Sequence, residues 1–391
     1  TNGVRPPENC VEIPEYIILT ALGAGFSVWI WLKRSRTQFA RRESRADRGL
    51  TRAFSRRQQT ELGVVVAERP HTFSSGLSSG AVTSDPADVA VTIVDGYVDE
   101  PAHFGVPPYI STYPRYTAGA LVDAGVPREQ ITYHTIDELR ADPTKRGDVA
   151  DADLMVYVGG MTVPGKYVGG TPAEPDEVRE LAWTADGTTL LGGPVRFGVG
   201  DENAGAQDME RDDLDYDFVS MGDVEAAAYD LVGNGLEGYT DRIRDYDEVD
   251  RWSNLGAFVV EQHPDHPEYI IAELETSRGC AYRCSFCTEP MYGDPDFRSP
   301  PDVVGEVDAL SDLGVTDFRI GRQADILAYG GDGEAPNPES LRTLSAGIRE
   351  VAPDLQPLHL DNINPVTIRD YPDRSPPAPE IIHTPHTPRP T

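Results

Sequence analysis

Thr276-Ser277-Arg278-Gly279-Cys280-Ala281-Tyr282-Arg283-Cys284-Ser285-Phe286-Cys287 gathers three of the chain's four cysteines into a CxxxCxxC spacing. Three thiolates within eight residues can wrap one iron-sulfur cubane, each holding one iron, and a four-iron cluster bound this way keeps its fourth iron free of protein ligands. A vacant iron is a place for chemistry. The competing reading is a structural zinc knuckle, which needs four protein ligands; a fourth would come from His263 or His266 in Gln262-His263-Pro264-Asp265-His266. Metal-ligand spacing this dense is a strong signal, so Cys280, Cys284 and Cys287 are the expected metal ligands.

Tyr269 to Glu275 (YIIAELE) reads as the first strand of a barrel and places the cysteine loop at its carboxyl end, where such folds collect ligands. Downstream, Ser299-Pro300-Pro301 starts a helix with Val303, Val307, Leu310 and Leu313 at helical spacing, and Gly314 ends it. Phe318 to Gly321 is a second strand, Asn337-Pro338 caps a helix with Leu341, Leu344, Ile348 and Val351 on one face, and Pro357 to Leu360 is a third strand. Arg322-Gln323-Ala324-Asp325 and Asp361-Asn362-Ile363-Asn364 stand at the ends of the last two. Ordinary capping explains any one of these polar residues as well as ligand binding does.

Upstream, from about Ala87, the chain alternates short apolar runs with helices. Val89 to Val94, Leu154 to Val158, Thr189 to Leu191 and Phe218-Val219 read as strands, and Tyr116 to Ala124 and Val224 to Leu231 as helices. This alternation predicts an α/β fold: a doubly wound parallel sheet of roughly five strands, followed by the barrel units. Its ligands would sit at Asp95-Gly96, Gly159-Gly160 and Gly192-Gly193-Pro194.

The cysteine spacing, Phe286 before the last cysteine and Arg278-Gly279 before the first resemble the signature of the radical S-adenosylmethionine (radical SAM) enzymes. The resemblance implies that Cys280, Cys284 and Cys287 hold a 4Fe-4S cluster and that SAM chelates the open iron. An electron from the cluster would then split SAM to a 5'-deoxyadenosyl radical, with Phe286 near the adenine. In that family the ends of the second and third barrel strands face the SAM and substrate cavity, so Gln323, Asp325, Asp361 and Asn362 are second-rank cofactor residues. The small-residue glutamate motif that commonly follows the second strand is not recognisable here.

The order of parts resembles radical SAM proteins with an N-terminal cobalamin-binding-like domain. Leu191-Gly192-Gly193-Pro194 looks like the glycine turn of such domains, and Asp217 to Glu225 (DFVSMGDVE) like their acidic element. More closely, Val94 to Pro101 (VDGYVDEP), Gly105 to Tyr109 (GVPPY) and Val163 to Tyr167 (VPGKY) resemble an uncharacterised archaeal radical SAM family. Its full-length members add a C-terminal helix-hairpin-helix, and the resemblance covers roughly residues 89–372. Base-off cobalamin needs a DxHxxG loop; none occurs, and His103 has the wrong spacing, so cobalamin is not expected. A radical SAM core usually has six βα units, whereas about three are visible before the Pro-rich stretch from Arg374. A truncated or frameshifted barrel is therefore expected, with an open sheet edge prone to aggregation and with His383 and His386 of the tail binding nothing.

The 391 residues leave room for two or three domains. The expected division is an atypical extension at 1–86, a doubly wound domain at 87–235, a connector at 236–268 carrying a charged helix over Tyr239 to Trp252, a partial radical SAM core at 269–372, and a Pro-rich tail at 373–391. Residues 16–32 are uncharged, mostly apolar and followed by Lys33-Arg34-Ser35-Arg36; they read either as a short membrane anchor or, with the basic stretch after them, as a segment foreign to the enzyme.

The formal charge of -31 disfavours attraction to a bare phosphate backbone, so nucleic acid enters as a partner only through the helix-hairpin-helix resemblance. Three lysines against 31 arginines on so acidic a chain suggest a halophilic archaeon. A cluster needs a reducing compartment, hence the cytoplasm. The expected activity is reductive SAM cleavage with radical chemistry on an unidentified substrate, served by an electron donor such as ferredoxin or flavodoxin. The competing classes are a noncatalytic iron-sulfur or zinc metalloprotein, and a binding module built on residues 89–235 whose ligand binding survives Cys280→Ala.

Overall fold

Val91–Asp95, five residues buried without a break, forms β1 of a computed structural model. The structure describes residues 85–97, 109–159, 173–193, 215–235, 239–280, 292–321, 323–331, 335–356, 358–360 and 362–372. A strand buried along its whole length needs cover on both faces, which a parallel sheet with flanking helices provides. The next strand, β2 (Tyr109–Ile110), leaves this sheet. Then β3 (Ile131–Thr135) and β4 (Leu154–Val158) flank β1 in parallel, and β5 (Thr188–Gly192) and β6 (Phe218–Val219) extend the sheet in the order β3-β1-β4-β5-β6.

Between these strands run α1 (Thr112–Asp123), α2 (Ile136–Ala141), α3 (Arg146–Ala150) and α4 (Pro175–Thr184); α5 (Val224–Asn234) follows β6. The first helix begins at Thr112, four residues before the sequence expectation. Pro114 stands in the helix's first turn, where the missing N–H has no partner to lose.

A second parallel sheet is built from β7 (Ile271–Leu274), β10 (Asp317–Ile320) and β11 (Leu358–Leu360), in the order β11-β10-β7-β2. Its fourth member comes from upstream: Tyr109 pairs with Ile271 and Ile110 with Ala272. Nothing in the sequence reading placed a strand there. Between β7 and β10, β8 (Ser277–Arg278) and β9 (Asp296–Phe297) form a short antiparallel pair. One apolar core contains Val91, Ile93 and Val156 of the first sheet together with Ala272, Leu274, Phe318 and Ile320 of the second.

The remaining helices are α6 (Tyr246–Leu255), α7 (Pro300–Asp312), α8 (Pro338–Val351) and α9 (Pro365–Asp370). Val303, Val307 and Leu310 of α7 and Leu341, Leu344 and Ile348 of α8 are buried in the core, as their spacing predicts. Ser299 and Asn337 cap these helices, and Gly314 N and Val315 N close α7 on Ser311 O and Leu310 O. The charged segment 239–252 is a helix only from Tyr246. There Asp245 accepts from Glu248 N at 2.9 Å while Glu248 accepts from Asp245 N at 3.1 Å, a capping box that fixes the start. The residues before it, Arg242 and Arg244, turn toward carboxylates instead. α1 and α6 cross at backbone contact: a Cβ on Gly119 would stand 1.9 Å from Trp252 O, so only glycine fits.

Candidate metal centre

The cysteine loop is pinned at its base. Ser277 pairs with Phe297 and Arg278 with Asp296, and Cys280 N donates to Gly293 O at 3.2 Å, so both ends of the 280–293 segment are held together. Gly279 sits at φ +82, and a Cβ there would meet Asp294 O at 2.5 Å. That accounts for the glycine before the first cysteine: a side chain would be strained and would push the loop ends apart. Cys280 is half-buried at the head of the loop. Cys284, Phe286 and Cys287 lie outside the described residues, as do Asp361, His103 and the 16–32 run.

Beneath the loop lies a buried ionic network. Arg278 donates to Asp223 at 2.7 Å, and its guanidinium carbon is 4.4 Å from the centre of the Tyr292 ring at the far end of the loop. Arg244 reaches Glu275 at 2.8 and 3.0 Å and also bonds Glu225, and Arg244 N donates to Asp223 at 3.0 Å. Arg298 meets Glu306 at 2.5 Å, Asp250 at 2.7 Å and Glu275 O at 3.0 Å, while Arg115 meets Glu306 at 2.6 Å and donates to Glu273 O. Burial alone would push the Arg244 and Arg278 guanidinium groups down. Glu275 and Glu225 reverse that for Arg244 and hold it well above its usual value; against burial and Arg244, Asp223 and Glu275 do the same for Arg278. Sequence reading quoted Asp223 and Glu225 only as part of an acidic element and missed all four arginines as a set, because partners as far apart as 191 residues leave no local signal.

At the carboxyl ends of β10 and β11 the structure brings Gln323, Asp325 and Asn362 together. Gln323 Nε2 donates to Ile320 O at 2.9 Å; Asn362, at φ +57, donates to Gln323 O at 2.9 Å and to Gly321 O at 3.2 Å. Asp325 caps the 3-10 turn Ile326–Ala328 through Leu327 N at 3.1 Å, accepts from Asn364 N at 3.1 Å, and also bonds Thr367 Oγ1. These bonds brace the two loops against each other. Burial holds the Asp325 carboxyl above its ordinary value, with the three hydrogen bonds opposing. On the sheet face opposite the apolar core, Glu273, Arg319 and His359 stand in register, a row of charge-bearing residues that sequence reading did not single out.

The two histidines offered as a fourth zinc ligand have other partners. His266 Nε2 bonds Leu313 O at 2.7 Å, and Leu313 precedes β10. His263 is buried against Tyr133, with ring centroids 6.1 Å apart, and its Nδ1 accepts from Asp265 N. Both histidines precede β7 and stand at its amino end, while Cys280 follows its carboxyl end. Among the described residues no group of three or more His, Cys, Asp and Glu is arranged to hold a metal ion. Three thiols at this spacing are a soft donor set that fits an iron-sulfur cluster by its chemistry.

In the first sheet the chain passes from one side of β1 to the other, so β1 and β4 flank its switch point. There Asp95 accepts from Tyr133 Oη and Tyr97 N, both at 2.9 Å, and Gly159 N donates to Gly192 O at 2.9 Å.

No family model matches the chain. It is 39% identical over 288 residues to an uncharacterized protein of Archaeoglobus fulgidus, covering 72% of this chain and 50% of that protein. The chain thus spans about half the length of that curated relative. A shorter match, 44% identical over 70 residues, is to the ribosomal protein uS12 methylthiotransferase RimO of Colwellia psychrerythraea, covering 18% of this chain and 14% of that one. Among solved structures, the cobalamin-dependent S-adenosylmethionine radical enzyme OxsB aligns over 66% of this chain and 37% of its own, at 12% identity and a TM-score of 0.38. The last two are weak similarities to radical SAM enzymes. No helix of the described residues is long and apolar enough to cross a membrane.

Proposed function

We propose that this chain is an iron-sulfur protein of the radical SAM type, in which Cys280, Cys284 and Cys287 hold a 4Fe-4S cluster at the carboxyl end of β7. The carrying observation is the pinned cysteine loop. Cys280 heads a segment closed at its base, at the sheet end where such folds bind ligands, and the sequence puts Cys284 and Cys287 on that same segment, while His266 bonds Leu313 O ahead of β10. The limited RimO match agrees with this reading. When bound, the cluster would supply the electron for reductive cleavage of SAM to methionine and a 5'-deoxyadenosyl radical, which would become 5'-deoxyadenosine by taking a hydrogen atom from substrate or solvent components.

The chain's own residues hold and shield. Phe286 would lie against the adenine, and Gln323, Asp325, Asp361 and Asn362 would shape the cofactor's side of the cavity, the described three by bracing the loops after β10 and β11. In this reading residues 87–235 are a doubly wound domain, 236–268 a connector and 269–372 a partial radical SAM core; ferredoxin or flavodoxin donates the electron, and the compartment is the reducing cytoplasm. The proposal includes no cobalamin, because the sequence has no DxHxxG loop.

The test is anaerobic incubation of reconstituted, dithionite-reduced protein with SAM. Release of 5'-deoxyadenosine, lost in Cys280→Ala, is the expected result. A cluster-loaded protein that leaves SAM intact would make the chain a noncatalytic metalloprotein.

A further inference from the structure

Arg278 is two residues from Cys280, is buried, and is held from three sides. Asp223, the residue before α5, accepts from its Nη1 at 2.7 Å; Glu275 lies 4.0 Å from its Nε; and the Tyr292 ring lies under its guanidinium carbon at 4.4 Å. Its side chain is only 8% exposed, yet Nε and Nη2 have no hydrogen-bond acceptor among the described residues. Leaving buried charged donors unsatisfied is costly, and a structural arginine would be expected to use them. The Asp223 side of the pair is firmly built: the same Oδ2 takes Arg244 N at 3.0 Å, and Asp223 N donates to Arg242 O at 2.9 Å.

We propose that Asp223 and Arg278 form a positioning pair, in which the acidic turn before α5 of the first sheet holds a cation with spare N–H donors at the base of the cysteine loop and so sets the charge felt by the cluster. This rests on the iron-sulfur reading above and extends it to residues that the cysteine motif does not contain. The physical ground is that each electron added to a cluster adds negative charge, so a nearby cation favours the reduced form and a nearby anion disfavours it. Net charge and hydrogen bonds around the sulfurs are among the levers that set a cluster's potential. The two halves of the pair therefore act with opposite sign. Loss of the cation lowers the potential; loss of the anion raises it. A pair that merely stiffened the loop would move both variants in the same direction or neither.

The experiment is potentiometric titration of the reconstituted cluster in the full chain, followed by its electron paramagnetic resonance signal, for the native protein, Asp223→Asn and Arg278→Gln. The expected result is an upward shift for Asp223→Asn and a downward shift for Arg278→Gln. The double variant, which removes one charge of each sign, is expected to return toward the native value. Asp223→Asn keeps the side chain's shape, so it decides the question alone should Arg278→Gln fail to fold. Unchanged potentials, or shifts of the same sign, overturn the pair's role while leaving the cluster assignment standing. A native chain that takes up no iron-sulfur cluster overturns both.

Discussion

Arg115 of α1 and Glu306 of α7, 191 residues apart in the chain, meet at 2.6 Å with neither side chain exposed. Glu306 also takes Arg298 at 2.5 Å and Tyr116 Oη at 3.1 Å, so one carboxylate pairs with two buried guanidinium groups at the seam between the sheets. Glu306→Gln keeps the shape and removes the charge. Breaking a buried pair from one side typically costs about 3–5 kcal/mol, because the partner charges stay behind. Urea unfolding should show a loss of that order, whereas Asp370→Asn at the exposed pair Arg369–Asp370 should leave the unfolding midpoint essentially unchanged.

Asp95 gives stability a pH dependence of unusual sign. Burial pushes its carboxyl up to about 6, against the opposing hydrogen bonds from Tyr133 and Tyr97 N. Between the ordinary value of 3.8 and about 6, the unfolded chain has released this proton and the folded chain has kept it. The unfolded state then binds fewer protons, so this group's contribution falls as pH rises through that window. Asp95→Asn should gain on the native protein by on the order of 2–3 kcal/mol between pH 4 and pH 7, read from paired unfolding curves.

His263 acts in the opposite direction. Burial lowers it to about 4, with Glu138 opposing and His266 assisting. Between about 4 and 6.5 the unfolded chain holds a proton that the folded chain lacks, so stability rises with pH across that range and is lost on acidification, by on the order of 3 kcal/mol. A variant without this histidine should have a flatter acid limb. His263→Gln combined with His266→Gln should also leave the iron content of reconstituted protein unchanged; a fall in bound metal would revive the zinc reading.

Four of the first sheet's five strands were legible as short, largely apolar runs, Val91–Asp95 and Leu154–Val158 most plainly; β3, where Thr132, His134 and Thr135 interrupt the apolar pattern, was not. The capped helices α7 and α8 were legible from their apolar spacing. Tyr109–Ile110 was not, since a two-residue strand has no period to detect and its partners in β7 lie 162 residues downstream. At the site, the cysteines were visible as a spacing and Asp325 as a polar residue at a strand end. That Asp325 caps a turn, and that Arg278 reaches Asp223, depends on contacts no local window contains. Ion pairs between buried arginines and carboxylates look in sequence like ordinary solvated charge.

The central claim is that three thiolates of the pinned loop hold a 4Fe-4S cluster. Iron and acid-labile sulfide should be measured on the full chain after anaerobic reconstitution, beside the variant in which Cys280, Cys284 and Cys287 are all alanine. The account predicts a brown protein with about four irons and four sulfides per chain, and none in the triple variant. A colourless protein carrying one zinc per chain, or iron retained by the triple variant, would contradict it.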